Sequence, residues 1–314
     1  MNFAAMMLVA IALDLALGWP AVLYNRIGHP VTWIGALITR LDKAWNTGAQ
    51  RKAKGVAAAA VVILLTWAIA HICQSLLPQS WVGIVIGGVL AWPLVALRSM
   101  HDHVAAVAKP LLVGDLAGAR HAVSMIVGRD PAQLDEAGVA RAALESLAEN
   151  SSDGIIAPLF WGCVAGLPGI AAYKAINTLD SMIGHRTPRH EEFGWASANI
   201  DDMVNLIPAR LTGVLFGVAS GKRAAQALDI MQRDARAHRS PNAGWPEAAM
   251  AGALDIRLSG PRIYGDRVTE EPWLNGAAPD PSPETLARGL ALYIRAMAGA
   301  GALIALAALL WRFA

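Results

Sequence analysis

Three stretches of this chain, 3–20, 55–77 and 289–311, are nearly unbroken apolar runs about as long as a bilayer is thick. A spanning helix takes roughly 20 mostly apolar residues, and few other structures can absorb such segments. A fourth, shorter run covers 81–97. With 55% hydrophobic residues, 16% charged residues and a mean hydropathy of +0.41, the 314-residue chain is too apolar for an ordinary soluble domain. The expected fold is all-α. It is a polytopic integral membrane protein, a single membrane-embedded domain over 1–314 with cytoplasmic helical insertions at 98–153 and 222–288. The first run is read as a span and not as a cleavable signal, because it lacks a basic start and carries Asp14.

Two weaker apolar segments, 154–172 and 204–220, are interrupted by Gly166, Pro168 and Gly169 and by Pro208 and Arg210. An arginine at membrane depth costs roughly 2.5–3.5 kcal/mol on insertion scales, so both are read as broken or re-entrant helices that protein covers. The loop after the first span carries Arg40, Lys43, Arg51, Lys52 and Lys54 against Asp42, which places it in the cytoplasm by the positive-inside rule. Both termini then face outward if only the four better runs cross. A net charge of +2 gives no sign of a nucleic-acid partner, and Cys73 and Cys163 stand in apolar sequence at no metal-ligand spacing. The Pro- and Gly-rich segment 239–280 reads as a structured but irregular surface excursion.

Polar and ionisable residues crowd between the apolar runs at 129–210. Asp130, Pro131 and Gln133 fit an N-cap, a first-turn proline and a capping-box glutamine, with Leu134, Ala137, Ala140, Leu144 and Leu147 as the apolar stripe behind them. On another face Arg141, Glu145 and Glu149 follow at intervals of four, and Asn150 and Asp153 add oxygen ligands. Such hard donors suit Mg²⁺, which takes one or two carboxylates plus substrate phosphates, or else they form a solvated acidic helix end. Gly184 is the expected C-cap of the next helix, on which Lys174, Asn177, Asp180 and Ser181 share a face. His185 and Arg186 follow. Arg186, Arg189 and His190 are either an anion cluster or ordinary complements of a helix dipole. Asp201, Asp202 and Asn205 make a further metal or phosphate shelf on this reading. Gly217 to Arg223 is one residue short of a phosphate loop and has Arg223 where Ser or Thr should bind Mg²⁺.

Taken in order, these residues resemble the CbiB/CobD family of cobalamin biosynthesis, the adenosylcobinamide-phosphate synthases. The match runs through Asp14, Gly18, Pro20 and the His29-Pro30-Val31 turn; Arg98 and Ser99; 126–130; 145–158; 177–186; Phe193 and Gly194; and 201–210. Pro131, His190 and Asn199 depart from the pattern, which would have Thr, Tyr and Arg there.

The resemblance implies an ATP-dependent amide ligase joining adenosylcobyric acid to (R)-1-aminopropan-2-ol phosphate or a related amino alcohol, with ATP as co-substrate and Mg²⁺ as cofactor. On that basis Glu145, Glu149, Asn150, Asp153, Asn177, Asp180 and His185 are the catalytic candidates. Glu145, Glu149, Asp153 and Asp180 are the metal candidates, and Arg129, Lys174, Arg186, Asp202 and Arg210 the substrate or phosphate binders. The implied partners are a corrinoid, an amino alcohol phosphate, the lipid bilayer and other late cobalamin-pathway membrane enzymes, in the cytoplasmic (inner) membrane with the active site on its cytoplasmic side. Composition and broken helices alone would also suit a transporter of an anionic solute or a Mg²⁺-dependent membrane prenyltransferase-like enzyme.

Overall fold

The apolar runs become helices in the computed structural model, which describes residues 1–127, 131–264 and 267–311, with 262–264 and 267–269 described by backbone only. In chain order the helices are α1 Phe3–Leu17, α2 Ala21–Ile27, α3 Pro30–Trp45, α4 Arg51–Ser75, α5 Trp81–Ala91, α6 Leu97–Leu112, α7 Leu116–Ser124, α8 Glu136–Ser151, α9 Ala157–Ile183, α10 Trp195–Val204, α11 Leu206–Ala219, α12 Ala224–Asp234, α13 Gly244–Leu254 and α14 Pro283–Leu310. Between α13 and α14 lie four short strands, β1 Leu258–Ser259, β2 Arg262–Tyr264, β3 Arg267–Thr269 and β4 Trp273–Leu274, paired antiparallel as β1 with β4 and β2 with β3.

Four helical runs, Arg51–Ser75, Trp81–Leu112, Glu136–Ile183 and Pro283–Leu310, are long and apolar enough to cross a membrane. The number rises to six if two bent pairs each make one span. Large apolar side chains such as Leu64, Ile69 and Leu306 are more than half exposed along them, a cost in water that vanishes in lipid. The protein is an all-α polytopic membrane protein.

The chain divides into two compact units. The first comprises Met1–Ala96, Ala157–Asn205 and Gly301–Ala314. Its core joins Ile38 of α3, Ala58, Ala59 and Val62 of α4, Ala175, Leu179 and Ile183 of α9, and Phe193 and Ala196 around the start of α10. Two glycines allow this packing. A Cβ on Gly55 would strike the Phe193 carbonyl, and one on Gly194 the Ile183 carbonyl. Gly87 and Gly88 of α5 likewise admit Met6 and Val9 of α1, so this small-residue face is used within the chain. The chain bends by about 109° between α1 and the α2–α3 pair, and between α2 and α3 His29 caps α3: its Nδ1 accepts from Val31 N at 3.2 Å, and Thr32 Oγ1 accepts from His29 N at 3.2 Å. Inside α9, Gly166 has φ +67°, next to Pro168, so the expected interruption of 154–172 falls there.

The second unit comprises Leu97–Ile156 and Leu206–Ala300. Here two sequence expectations fail. The helix predicted to begin at Pro131 begins at Glu136, because Asp135 supplies the cap: its Oδ1 accepts from Gly138 N at 2.8 Å. Asp130 lies outside the described residues. The segment 239–280 is structured as expected but is not a surface excursion throughout, since every residue of α13 except Trp245 is buried. A helix that is small and apolar all round has no face to give to water. Its neighbours come close through glycine: a Cβ on Gly213 of α11 would meet the Trp245 carbonyl at 2.9 Å, and one on Gly252 the Ala227 Cα at 2.8 Å.

Candidate functional site

In the first unit, α9 presents Tyr173, Asn177 and Asp180 one turn apart on one face. Helix α10 brings Asp201, Asp202 and Asn205 against it. Gly184 ends α9, its N–H donating to the Asp180 carbonyl at 2.7 Å, and the Asp180 carboxylate folds over this glycine so closely that a Cβ there would collide with Oδ1.

A relay of donors crosses between the helices. Tyr173 OH donates to Asn205 Oδ1 at 2.9 Å, and Asn205 Nδ2 donates to Asp201 Oδ2 at 3.0 Å. The network fixes the amide orientation, since Asn205 must accept on one side and donate on the other. Asp201 is buried, and Asn177 approaches it, yet its Oδ1 has no well-formed hydrogen bond among the described residues. Asp180 and Asp202 both lie within electrostatic reach of Asp201. His185 lies within electrostatic reach of Asp180, and Arg186 within that of Asp202. Three carboxylates thus face one guanidinium and one imidazole, and like charges gathered this way call for a cation or a proton.

Of the residues singled out from sequence, Asn177, Asp180, His185, Arg186 and Asp202 come together here. Lys174 lies on α9 within electrostatic reach of His29. Arg189 and His190 are engaged elsewhere, both on Asp42, with Arg189 Nη2 to Asp42 Oδ2 at 2.5 Å and His190 Nε2 to Oδ1 at 3.4 Å. Tyr173 was not foreseen. Its position four residues before Asn177 and seven before Asp180 was the available signal.

The acidic run of α8 belongs to the second unit and behaves differently. Glu145 is buried and its Oε1 accepts from Ser259 N at 2.8 Å. Ser259 has φ +62°, a left-handed conformation that a serine adopts at a cost. Arg141, one turn before Glu145, pairs with Asp280. Arg257 joins the same carboxylate, with Nη2 to Oδ2 at 2.6 Å and Nε to Oδ1 at 3.0 Å, and both guanidiniums lie over the Trp273 ring at 4.7 and 4.3 Å. Arg257 first, and Arg141 with it, holds the Asp280 carboxyl below the usual carboxylate range. Glu149 and Asn150 are exposed at the end of α8. Asp153 sits in a π-helical stretch, Ser152–Ile156, a backbone form that recurs at functional sites. Arg129 lies outside the described residues. Arg210, on α11, stacks over Trp245 at 4.3 Å.

Among the described residues no three His, Cys, Asp or Glu side chains are close enough to hold a metal ion. Neither the expected set Glu145, Glu149, Asp153 and Asp180 nor the Asp180, Asp201 and Asp202 cluster is such a group. The unit also buries polar residues that sequence reading passed over. His238 Nε2 stands 3.7 Å from Glu247 Oε2, and Arg239 Nη1 stands 3.4 Å from Glu271 Oε1. A lone Glu in the first turn of the otherwise apolar α13 was the signal for Glu247.

A family model described as CobD/Cbib protein matches residues 7–293. The chain belongs to the CobD/CbiB family. Within it, the chain is 75% identical over 312 residues to the cobalamin biosynthesis protein CobD of Rhodobacter capsulatus, covering 99% of each chain. It is 48% identical to the protein of the same name from Sinorhizobium fredii over 282 residues, 86% of each, and 48% identical to that from Brucella suis over 283 residues, 85% of each. No solved structure matches. The CobD/CbiB match covers both units, so the Asp201 cluster and the α8 acids lie alike within it.

Proposed function

We propose that this protein acts in cobalamin biosynthesis as an ATP-dependent amide ligase of the cytoplasmic membrane. It joins the carboxylate of adenosylcobyric acid to (R)-1-aminopropan-2-ol phosphate or a related amino alcohol, giving adenosylcobinamide phosphate. Membership of a family whose relatives are named cobalamin biosynthesis proteins supports the pathway. The observation that carries the chemistry is the buried Asp201, held by Asn205 and with Asp180 and Asp202 within electrostatic reach.

A carboxylate is a poor acyl donor. In the proposed route a substrate carboxylate oxygen takes the γ-phosphoryl group of ATP and ADP leaves. The amine nitrogen then attacks the acyl carbon and inorganic phosphate departs. The protein's contribution is positioning and charge neutralisation. Asp201 has Asp180 and Asp202 within electrostatic reach, and such hard oxygen donors are of the kind Mg²⁺ takes together with substrate phosphates, although the three do not by themselves form a metal-binding group. When bound, Mg²⁺ would neutralise phosphate oxygens and so ease phosphoryl transfer. The Tyr173–Asn205 relay holds the Asp201 carboxylate in place. His185 takes the proton that the ammonium nucleophile must lose. Within the first unit Arg186 and Lys174 bind phosphate, and within the second Arg210 is a further phosphate binder. The site opens on the cytoplasmic side.

The direct test incubates the protein in nanodiscs with ATP, Mg²⁺, adenosylcobyric acid and the amino alcohol phosphate, and follows the corrinoid by mass spectrometry. An ATP-dependent gain of the amine's mass less one water is expected. Binding of all three substrates with no such product would overturn the reading.

A further inference from the structure

Arg210 is not the only guanidinium at its site. Helix α11 reaches the start of α13 through Gly213, where a side chain would meet Trp245 O at 2.9 Å and Met231 Sδ. The start of α13 in turn lies on the 3₁₀ turn Ala235–Ala237, because Gly244 has no Cβ to strike the Ala235 carbonyl. These two close approaches bring Arg210 of α11, Trp245 of α13 and Arg236 of the turn to one place in the second unit. Arg236 is the charged group that acts on Arg210. Among the described residues neither arginine is ion-paired; the nearest acid in sequence, Asp234, is held by Arg233 at 2.7 Å and by Asn275 N at 2.7 Å.

Two cations held together without a counter-charge repel each other unless an anion joins them. The surroundings are built to hold one. The Trp245 face fixes the plane of Arg210 at 4.3 Å, and Arg210 spends one donor on Leu206 O at 2.6 Å, which orients the rest of its fork. Arg236 is exposed and Trp245 half-buried, so a ligand can reach the pair.

We propose that Arg210 and Arg236, oriented by Trp245, form a two-arginine clamp for a phosphate group. This rests on the reading of Arg210 as a phosphate binder and adds Arg236, which sequence analysis did not single out. The phosphate belongs either to a soluble substrate or to a lipid headgroup.

The test uses the full chain in phosphatidylcholine nanodiscs, with inorganic pyrophosphate as the probe. Arg236→Gln should weaken pyrophosphate binding about tenfold, the equivalent of one charge-assisted hydrogen bond. Arg236→Lys should weaken it less, and Lys222→Gln, which removes an exposed charge elsewhere, should not change it. A second arm compares retention of phosphatidylglycerol with that of phosphatidylcholine by native mass spectrometry. If wild type ignores pyrophosphate but prefers phosphatidylglycerol, and Arg236→Gln loses that preference, the clamp stands and its phosphate is a lipid's. Unchanged pyrophosphate affinity and unchanged lipid preference in Arg236→Gln would overturn the clamp, as would an equal loss in Lys222→Gln. Because Arg236 is exposed, its variants should fold even if Arg210→Gln does not. Neither arm needs turnover, so failure of the ligation assay with normal phosphate binding would count against the proposed function and leave the clamp in place.

Discussion

The acids of α8 and those of α9 and α10 look alike in sequence and end up in opposite situations. On α8 the four-residue spacing puts Glu145 and Glu149 on one side of a single helix, yet Glu145 is buried on the Ser259 amide while Glu149 is exposed. Asp180 comes from α9 and the adjacent Asp201 and Asp202 from α10, with no helical spacing to connect the two, yet they lie within electrostatic reach of one another. Spacing along a helix fixes direction, but convergence on one point requires a second element facing the first. A row of acids therefore says less about chemistry than the contact between two helices does.

The largest expected effect tests that convergence. Asp201→Asn keeps the shape and hydrogen-bonding reach but removes the charge, and it should lower amide formation by about a hundredfold or more. Protein yield in the membrane should stay near normal. Turnover close to wild type would dissolve the contrast between the two regions. Next comes Gly184→Ala, whose new methyl must displace the Asp180 carboxylate; a loss of about tenfold to a hundredfold in rate is expected from such a displacement. A matching fall in melting temperature would mean that Gly184 serves only packing.

On the α8 side the prediction concerns stability. Glu145→Ala strands the buried Ser259 amide and should cost about 1–3 kcal/mol, read by thermal unfolding and by faster proteolysis within 256–280. Glu145→Gln, which still offers an oxygen, should cost less. The exposed Glu149→Gln should leave stability within about 0.5 kcal/mol, so equal destabilisation by both substitutions would remove the distinction drawn along this helix.

The smallest effect is that of Asp280. Its carboxyl is held below the ordinary range by Arg257 and Arg141. A depressed carboxylate stabilises the fold fully above its unfolded value of about 3.9, and that contribution fades as pH falls through the lower folded value. The pair is partly exposed, so screening keeps the contribution small. Melting curves of wild type and Asp280→Asn should converge as the pH drops below about 4; a gap that stays constant with pH would show that the loss lies in packing against Trp273.

Much of this protein was legible in its residues. Apolar runs of bilayer length dictate spanning helices because backbone groups in lipid have no other partner than their own helix. Gly166 and Pro168 mark the interruption in α9 and Gly184 its end, since each acts through local backbone geometry. Face-sharing by Asn177 and Asp180 also follows from helical period alone. What the period could not supply was the partner of each face. Only the packing of α10 on α9 joins Tyr173, Asn205 and Asp201 into one relay, and only the fold sends Glu145 to Ser259 and Arg141 to Asp280. The same holds for Arg236, which comes within electrostatic reach of Arg210 because Gly213 and Gly244 let three elements approach closely. Local conformation is set by neighbours in sequence, whereas a site depends on which surfaces meet, and that is decided by how whole helices fit together.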